Sequence, residues 1–261
     1  MRILFILLAV VSFSVNLFAQ NLVPNPSFEV YDECPYDMTI YPQKKLIPHW
    51  YMPNRGTSDY FNSCTNLQVS VPTNFIGNLW AYDGHAYAGI VLLEMHVEDT
   101  AGKKDQNYRE YLQTEIKRPL LKNHYYLVKL HYAVATYSTY AVNRLGIYFS
   151  KEQIKNRRTY QTLEYDPQVV IPEDTILTET NIWYTLYDTI KASGGEKYIT
   201  IGNFYLDKKT DFAKLDISQF NLPLQDHINN NGLAYYYIDM VSVEELVRKD
   251  TEKCTPHIPV R

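Results

Sequence analysis

Hydrolytic chemistry needs a nucleophile with its base, a metal with its ligands, or two carboxyls set across a cleft. The sequence has no Gly-x-Ser-x-Gly elbow, no P-loop and no His-Glu-x-x-His zinc pattern. Its seven histidines are scattered, and none stands at the spacing that puts two ligands on one helix face. His85 and His96 are a pair that only folding would bring together. Glu94, Glu98, Glu110 and Glu196 are formal candidates for the acid and base of glycoside hydrolysis, a reaction that depends on the separation of two carboxyls. Cys34 as a nucleophile would need a partnering histidine and a lowered pKa, and a disulfide explains it with fewer assumptions. The expectation is a protein that is not an enzyme.

Recognition has more to work with. The 261 residues include 24 Tyr, 10 Phe and 3 Trp, and a ring with a polar tip suits both a half-buried sheet face and a binding surface. A sugar is held by aromatic faces against its C–H surface and by planar polar groups on its hydroxyls, within the usual logic of apolar walls and few polar groups. Trp50, Tyr51, Tyr60, Trp80, Tyr82, Tyr137 and Tyr140 lie in or beside turns, with Asp59, Asn74, Asp83 and Asn143 nearby. From these the predicted ligand-binding set is Trp50, Tyr51, Asp59, Tyr60, Trp80, Tyr82, Asp83, Tyr137 and Asn143. The competing reading is that Tyr and Trp in strands are core.

The elements that must position these residues are strands. Tyr125 to Val134 alternates at period two, with Tyr126, Val128, Leu130, Tyr132 and Val134 inward and Lys129 and His131 outward. Tyr108 to Ile116 sets Leu112 and Ile116 against Arg109, Gln113 and Glu115, and Leu145, Ile147 and Phe149 share a side in the next run. Lys197–Tyr205 and Ala234–Val243 are further β-rich stretches, and no amphipathic helix of convincing length interrupts them. Alternation of this kind predicts antiparallel sheets with one wet face. Turns at Pro53–Gly56, Tyr82–Gly84, Ser193–Gly195 and Asn229–Gly232 complete an all-β pattern, an antiparallel β-sandwich of jelly-roll type. Lys151–Asp174 and Asp207–Asn230 read as long surface insertions. One domain is expected over 21–246, with a C-terminal tail over 247–261. At 46% apolar and 21% charged residues the chain has a globular composition. A net charge of −4 excludes nucleic-acid binding through overall basicity and gives no pull toward an anionic membrane.

Residues 1–20 read as a secretory signal peptide: Arg2, an apolar stretch from Ile3 to Val11, then a mixed region ending Phe18-Ala19-Gln20. The predicted protein is exported, to the periplasm, the outer membrane or the cell surface, without inserting into a membrane itself. In an oxidising compartment three cysteines permit three single pairings. Cys34–Cys64 is the favoured one, leaving Cys254 as a tail thiol or an intermolecular link.

Asn21-Leu-Val-Pro-Asn-Pro-Ser-Phe-Glu29 and Tyr235-Tyr-Tyr-Ile-Asp-Met-Val-Ser-Val243, read together, resemble the galactose-binding-like, carbohydrate-binding-module-type jelly rolls exported by Bacteroidota. The markers between them include Cys34-Pro35, Trp50, Gly56-Thr-Ser-Asp-Tyr-Phe61, Cys64, Gly84-His-Ala-Tyr-Ala-Gly89, Arg109-Glu-Tyr-Leu-Gln113 and Gly194 to Phe204. The resemblance implies a non-catalytic domain that recognises a glycan, or else a subunit of an outer-membrane or secretion assembly with a cell-envelope protein as partner. Such proteins often continue into an OmpA-like or sorting domain, which the sequence ending at Arg261 does not include. No cofactor is required. A structural calcium is implied at the positions of Glu29 and Asp239, although Met240 stands where the family usually has a second acid.

Overall fold

The computed structural model describes residues 20–38, 46–96, 107–220 and 231–246. Nearly all of the predicted signal peptide, the tail with Cys254, and Glu98 lie outside the described residues.

Where apolar residues alternate with polar ones, the backbone extends and one face becomes dry. In chain order the strands are β1 (Trp50–Tyr51), β2 (Asp59–Asn62), β3 (Thr73–Asn74), β4 (Gly77–Asn78), β5 (Ala86–His96), β6 (Leu112–Glu115) and β7 (Tyr125–Val134). They continue as β8 (Tyr140–Val142), β9 (Gly146–Ser150), β10 (Val169–Val170), β11 (Tyr184–Lys191), β12 (Tyr198–Gly202), β13 (Phe212–Lys214) and β14 (Asn231–Glu245). The only helical element among the described residues is a short 3-10 turn at Asp207–Lys209.

Two five-stranded antiparallel sheets form the sandwich. Sheet A runs β1-β6-β12-β9-β10, and sheet B runs β11-β7-β14-β5-β2. From β5 onward the longer strands alternate between the sheets, B, A, B, A, which is the winding of a jelly roll. Tyr126, Val128, Leu130, Tyr132 and Val134 of β7 face Leu112, Ile147, Phe149, Ile199 and Ile201 of sheet A in one buried core. Burying each such side chain is worth roughly 1.5–3 kcal/mol. A one-residue slip of β7 would expose all five, a cost comparable to a whole domain's net stability of about 5–15 kcal/mol.

The expectation of one wet face fails for half of sheet B. Phe61, Tyr87, Val91, Tyr235 and Tyr237 lie on its outer face, yet they too are buried. The segment between β2 and β5 folds back over them and contributes Val69, Val71, Ile76 and Leu79 to a second core. Asn74 pins this cover: its Nδ2 donates to the Tyr87 hydroxyl (2.9 Å), and its Oδ1 accepts from the Tyr237 hydroxyl (2.8 Å). Gly89 makes room for the layer, since a Cβ there would stand 2.2 Å from the Tyr235 hydroxyl.

The two predicted insertions are also part of the fold. Lys151–Asp174 supplies β10, the edge of sheet A, and buries Ile154 and Leu163 against Tyr111 and Phe204. The second supplies β13, which pairs with β8. At the other end, residues 21–26 lie along the end of β14: Leu22 N–H donates to Val243 O (2.9 Å) and Val241 N–H to Pro26 O (2.9 Å). Cys34 and Cys64 are joined as a disulfide, with Cα atoms 5.9 Å apart.

Candidate functional site

The register of sheet A decides what it shows to the outside. Ile147 and Phe149 point into the core, so Tyr148 between them points out. The same outward row runs Tyr51–Gln113–Thr200–Tyr148, and the next runs Glu115–Tyr198–Ser150. Over part of this face the chain after β9 and the turn before β12 leave an open groove of about 690 Å³. Its lining includes Tyr148, Ser150, Gln153, Tyr165, Gln168 and Glu196. The Tyr148 and Tyr165 rings are stacked, 4.7 Å between centroids and 18° apart in plane, and Tyr165 is 40% exposed.

Gln168, Ser193 and Glu196 are fixed at this groove. Gln168 Oε1 accepts the Phe149 N–H at 2.7 Å. Glu196 accepts from Ser193 N–H, Ser193 Oγ and Gly194 N–H at 2.7–2.8 Å. Burial pushes its carboxyl up, but those bonds outweigh burial and hold it below the ordinary range. Burial beside Tyr198 and Glu115 drives the Tyr51 phenol well above its usual range, so it is a neutral hydroxyl at any physiological pH. Gln113 is fully buried in the same row; its Nε2 donates to Thr200 Oγ1 (2.7 Å) and its Oε1 has no partner among the described residues. Flat rings flanked by immobilised amides and hydroxyls can hold a ring-shaped polyol.

A second aromatic surface sits on sheet B. Beyond the covered half, its outer face carries half-buried His131 and Lys129 of β7, exposed Thr185 and half-buried Tyr187 of β11, and buried Ser242 of β14. Tyr82 lies flat on His131, with centroids 3.6 Å apart and planes within 16°. Trp80 is 67% exposed and Tyr82 49%. Trp183 meets Tyr82 edge-on and donates its indole N–H to Trp80 O (2.8 Å).

Two carboxyl groups hold this turn. Asp239 Oδ2 accepts the N–H groups of Tyr82 (2.9 Å) and Asp83 (3.0 Å), and Glu29 Oε1 accepts those of His85 (2.7 Å) and Ala86 (2.8 Å). The acids expected to bind calcium thus converge on one turn, but they face N–H donors. A calcium ion wants about 6–8 oxygens, and no group of three potential ligands occurs among the described residues. This donor set does not fit the ion.

The structure separates the predicted ligand-binding set. Trp80, Tyr82 and Asp83 share the exposed turn, and Tyr51 lies on the outer face of sheet A. Trp50 is corrected to core: it packs on Phe28 at 5.0 Å and spends its indole N–H on Asn25 O (2.8 Å). Tyr60 is buried too, its hydroxyl donating to Phe28 O (3.0 Å). Asp59 is buried and accepts the Tyr235 hydroxyl; burial and the neighbouring Glu110 push its carboxyl well above the usual range. Asn143 is buried between Glu173 O and Asp211, a loop pin. Tyr137 packs on Phe220 at the rim of the second core.

Among the candidate acids, Glu110 accepts from Val91 N–H, Thr57 N–H, Thr57 Oγ1 and Tyr108 OH at 2.7–3.0 Å, a structural commitment of both oxygens. Sequence reasoning missed Tyr148 and Tyr165. The parity of Ile147 and Phe149 carried a signal for the first; nothing local marked the second.

No protein-family model matches the chain, and no curated protein matches it. Among solved structures, it is similar to the CBM22-1 xylan-binding domain from Paenibacillus barcinonensis Xyn10C, at 11% identity over 87% of this chain and 95% of that one, with a TM-score of 0.39. The K1 cleaved adhesin domain of Lys-gingipain from Porphyromonas gingivalis W83 gives 12% identity over 77% and 92%, with a TM-score of 0.35. The C-terminal family 22 carbohydrate binding module of Clostridium thermocellum Xyn10B gives 11% over 80% and 93%, with a TM-score of 0.36. Scores this low carry no argument about what the chain binds.

Proposed function

We propose that the protein is an exported, non-catalytic glycan-binding domain and that the groove on the outer face of sheet A is its site. The observation that carries this is the stacked Tyr148–Tyr165 pair beside Gln153 and Gln168 in an open groove of about 690 Å³. That volume falls in the range of about 300–1,000 Å³ that suits a small ligand or a few sugar units. The rings supply apolar faces for the C–H side of a pyranose, and the amides and hydroxyls supply donors and acceptors for its rim. Because backbone bonds already fix Gln168 and Glu196, little side-chain entropy remains to be lost on binding. The disulfide and the signal-like leader both favour an oxidising compartment outside the cytoplasm.

The test is a glycan array probed with the purified protein and with Tyr148→Ala and Tyr165→Ala variants. Expected are hits whose affinity drops at least tenfold in either variant while the melting temperature holds. A blank array, or hits indifferent to both substitutions, overturns the groove as a glycan site. A blank array with stoichiometric recovery of an envelope protein in pull-downs replaces the glycan with a protein partner.

A further inference from the structure

We infer that the protein carries a second carbohydrate-contact surface on the opposite sheet, at Trp80, Tyr82 and Trp183, and that it therefore joins two glycan chains instead of holding one. The inference rests on the glycan-binding reading of the groove and goes beyond it.

The first ground is that the turn ends a segment built otherwise for burial. Val69, Val71, Ile76 and Leu79 all enter the second core, and then Trp80 and Tyr82 stand out at 67% and 49% exposure. Adjacent exposed rings on a folded surface mark an interaction site more often than scattered ones do. The second ground is rigidity. Four backbone N–H groups of this turn, from Tyr82 to Ala86, are held by the carboxyl oxygens of Asp239 and Glu29. Tyr82 is backed on one face by His131, and Trp183 is tied to Trp80 O. Rings fixed before the ligand arrives bind it at a low entropic cost.

The occupant follows from what surrounds the rings. The accessible positions of sheet B beside them are polar, half-buried Lys129 and exposed Thr185. An apolar protein surface would desolvate the Lys129 ammonium and the Thr185 hydroxyl at a cost, whereas a pyranose offers a C–H face to the rings and hydroxyls to the two polar groups beside them. The two surfaces also face apart. Tyr148 alternates with core residues of sheet A, and His131 with core residues of sheet B, so each points away from the sandwich on its own side. One extended glycan strand does not reach both.

The experiment is calorimetric titration with four β-1,4-linked hexasaccharides, cellohexaose, xylohexaose, mannohexaose and chitohexaose, alongside light scattering with the matching soluble polysaccharides. The proteins are wild type, Trp80→Ala/Tyr82→Ala, and Tyr148→Ala/Tyr165→Ala, each checked for an unchanged melting temperature. Trp80→Ala alone serves if the first pair unfolds. Expected are a stoichiometry near two for wild type, near one for each variant, and polysaccharide aggregation by wild type only. A stoichiometry near one that ignores Trp80 and Tyr82 sinks the second surface and leaves the groove standing. Binding that ignores Tyr148 and Tyr165 but needs Trp80 sinks the groove and the bridging together. No binding to any of the four overturns both.

Discussion

Asp239 Oδ2 accepts the backbone N–H of Tyr82 at 2.9 Å across 157 residues of sequence. The same oxygen takes Asp83 N–H at 3.0 Å, and Oδ1 takes Met240 N–H at 2.6 Å. The last strand thereby sets the shape of a turn near the start of β5. An amide in its place presents NH₂ where an acceptor is needed. Asp239→Asn is expected to lower unfolding free energy by about 1–3 kcal/mol, the cost of unsatisfied buried donors. Urea denaturation followed by tryptophan emission reads both the stability and the surroundings of Trp80 and Trp183. A variant as stable as wild type would mean that the turn is held by its rings alone.

The same carboxyl makes stability depend on pH. Burial pushes Asp239 up to about 8, against the pull of its three N–H donors. The unfolded chain releases that proton near the ordinary value of 3.8, so between those pH values the native state binds more protons than the unfolded state. Stability therefore falls as pH rises through this window, with a slope for this group approaching about 1.4 kcal/mol per pH unit. Asp59 and Glu110 are raised by burial as well and add in the same direction. Facing Asp239 are Asp83, which raises it further, and His131, whose pKa burial lowers. Denaturation curves at pH 5 and pH 8 should show wild type losing more stability than Asp239→Asn. Equal losses would refute the assignment to this residue.

Asn74 fastens the covering segment to sheet B through two tyrosine hydroxyls, and its Oδ1 also accepts Ile76 N–H at 3.1 Å. Asn74→Ala strands several buried groups at once and is expected to cost about 2–4 kcal/mol, from unmet hydrogen bonds of roughly 1–3 kcal/mol each and partial relaxation. Tyr237→Phe removes one donor and keeps the ring, for about 1 kcal/mol. Limited proteolysis between residues 63 and 85 should follow the same order. If Tyr237→Phe proves the more damaging, the ring's neighbours and not the hydrogen bonds hold the cover.

How far such features were legible depends on whether a residue's role is local. β7 reads directly, because each inward side chain from Tyr126 to Tyr132 alternates with a partly wet one, and the pattern closes only at Ala133, which enters the second core. Tyr235-Tyr236-Tyr237 does not: the middle ring enters the main core and its neighbours enter the second one, so period two vanishes where both faces are dry. Trp50 and Trp80 look alike, aromatic and beside turns. Their fates diverge because Asn25 O waits for one indole, while the chain turns outward at the other. The Cys34–Cys64 pairing is legible from the signal-like leader and from the spacing of the cysteines. Tyr165 stacks on Tyr148 from a connection with no period of its own, and only tertiary structure brings them together.

Arg109 tests the interior of the fold most severely. It is fully buried, paired with Asp207 at 2.8 Å, and donates to Tyr108 O (2.7 Å) and Tyr205 O (2.9 Å), while its Nε has no partner among the described residues. Burial lowers its pKa and the Asp207 charge opposes that, so removing the carboxylate leaves a cation in a dry site with only carbonyl dipoles. Asp207→Ala is expected to cost about 3–5 kcal/mol, as breaking one side of a buried pair does. The Arg109→Met/Asp207→Leu double variant should recover much of that loss, because replacing both partners with apolar groups removes the desolvation penalty with the attraction. A double-mutant cycle in urea measures the coupling. Losses that simply add would show that Asp207 acts on the Asn107 loop, whose N–H it also accepts at 3.2 Å, and not on the guanidinium.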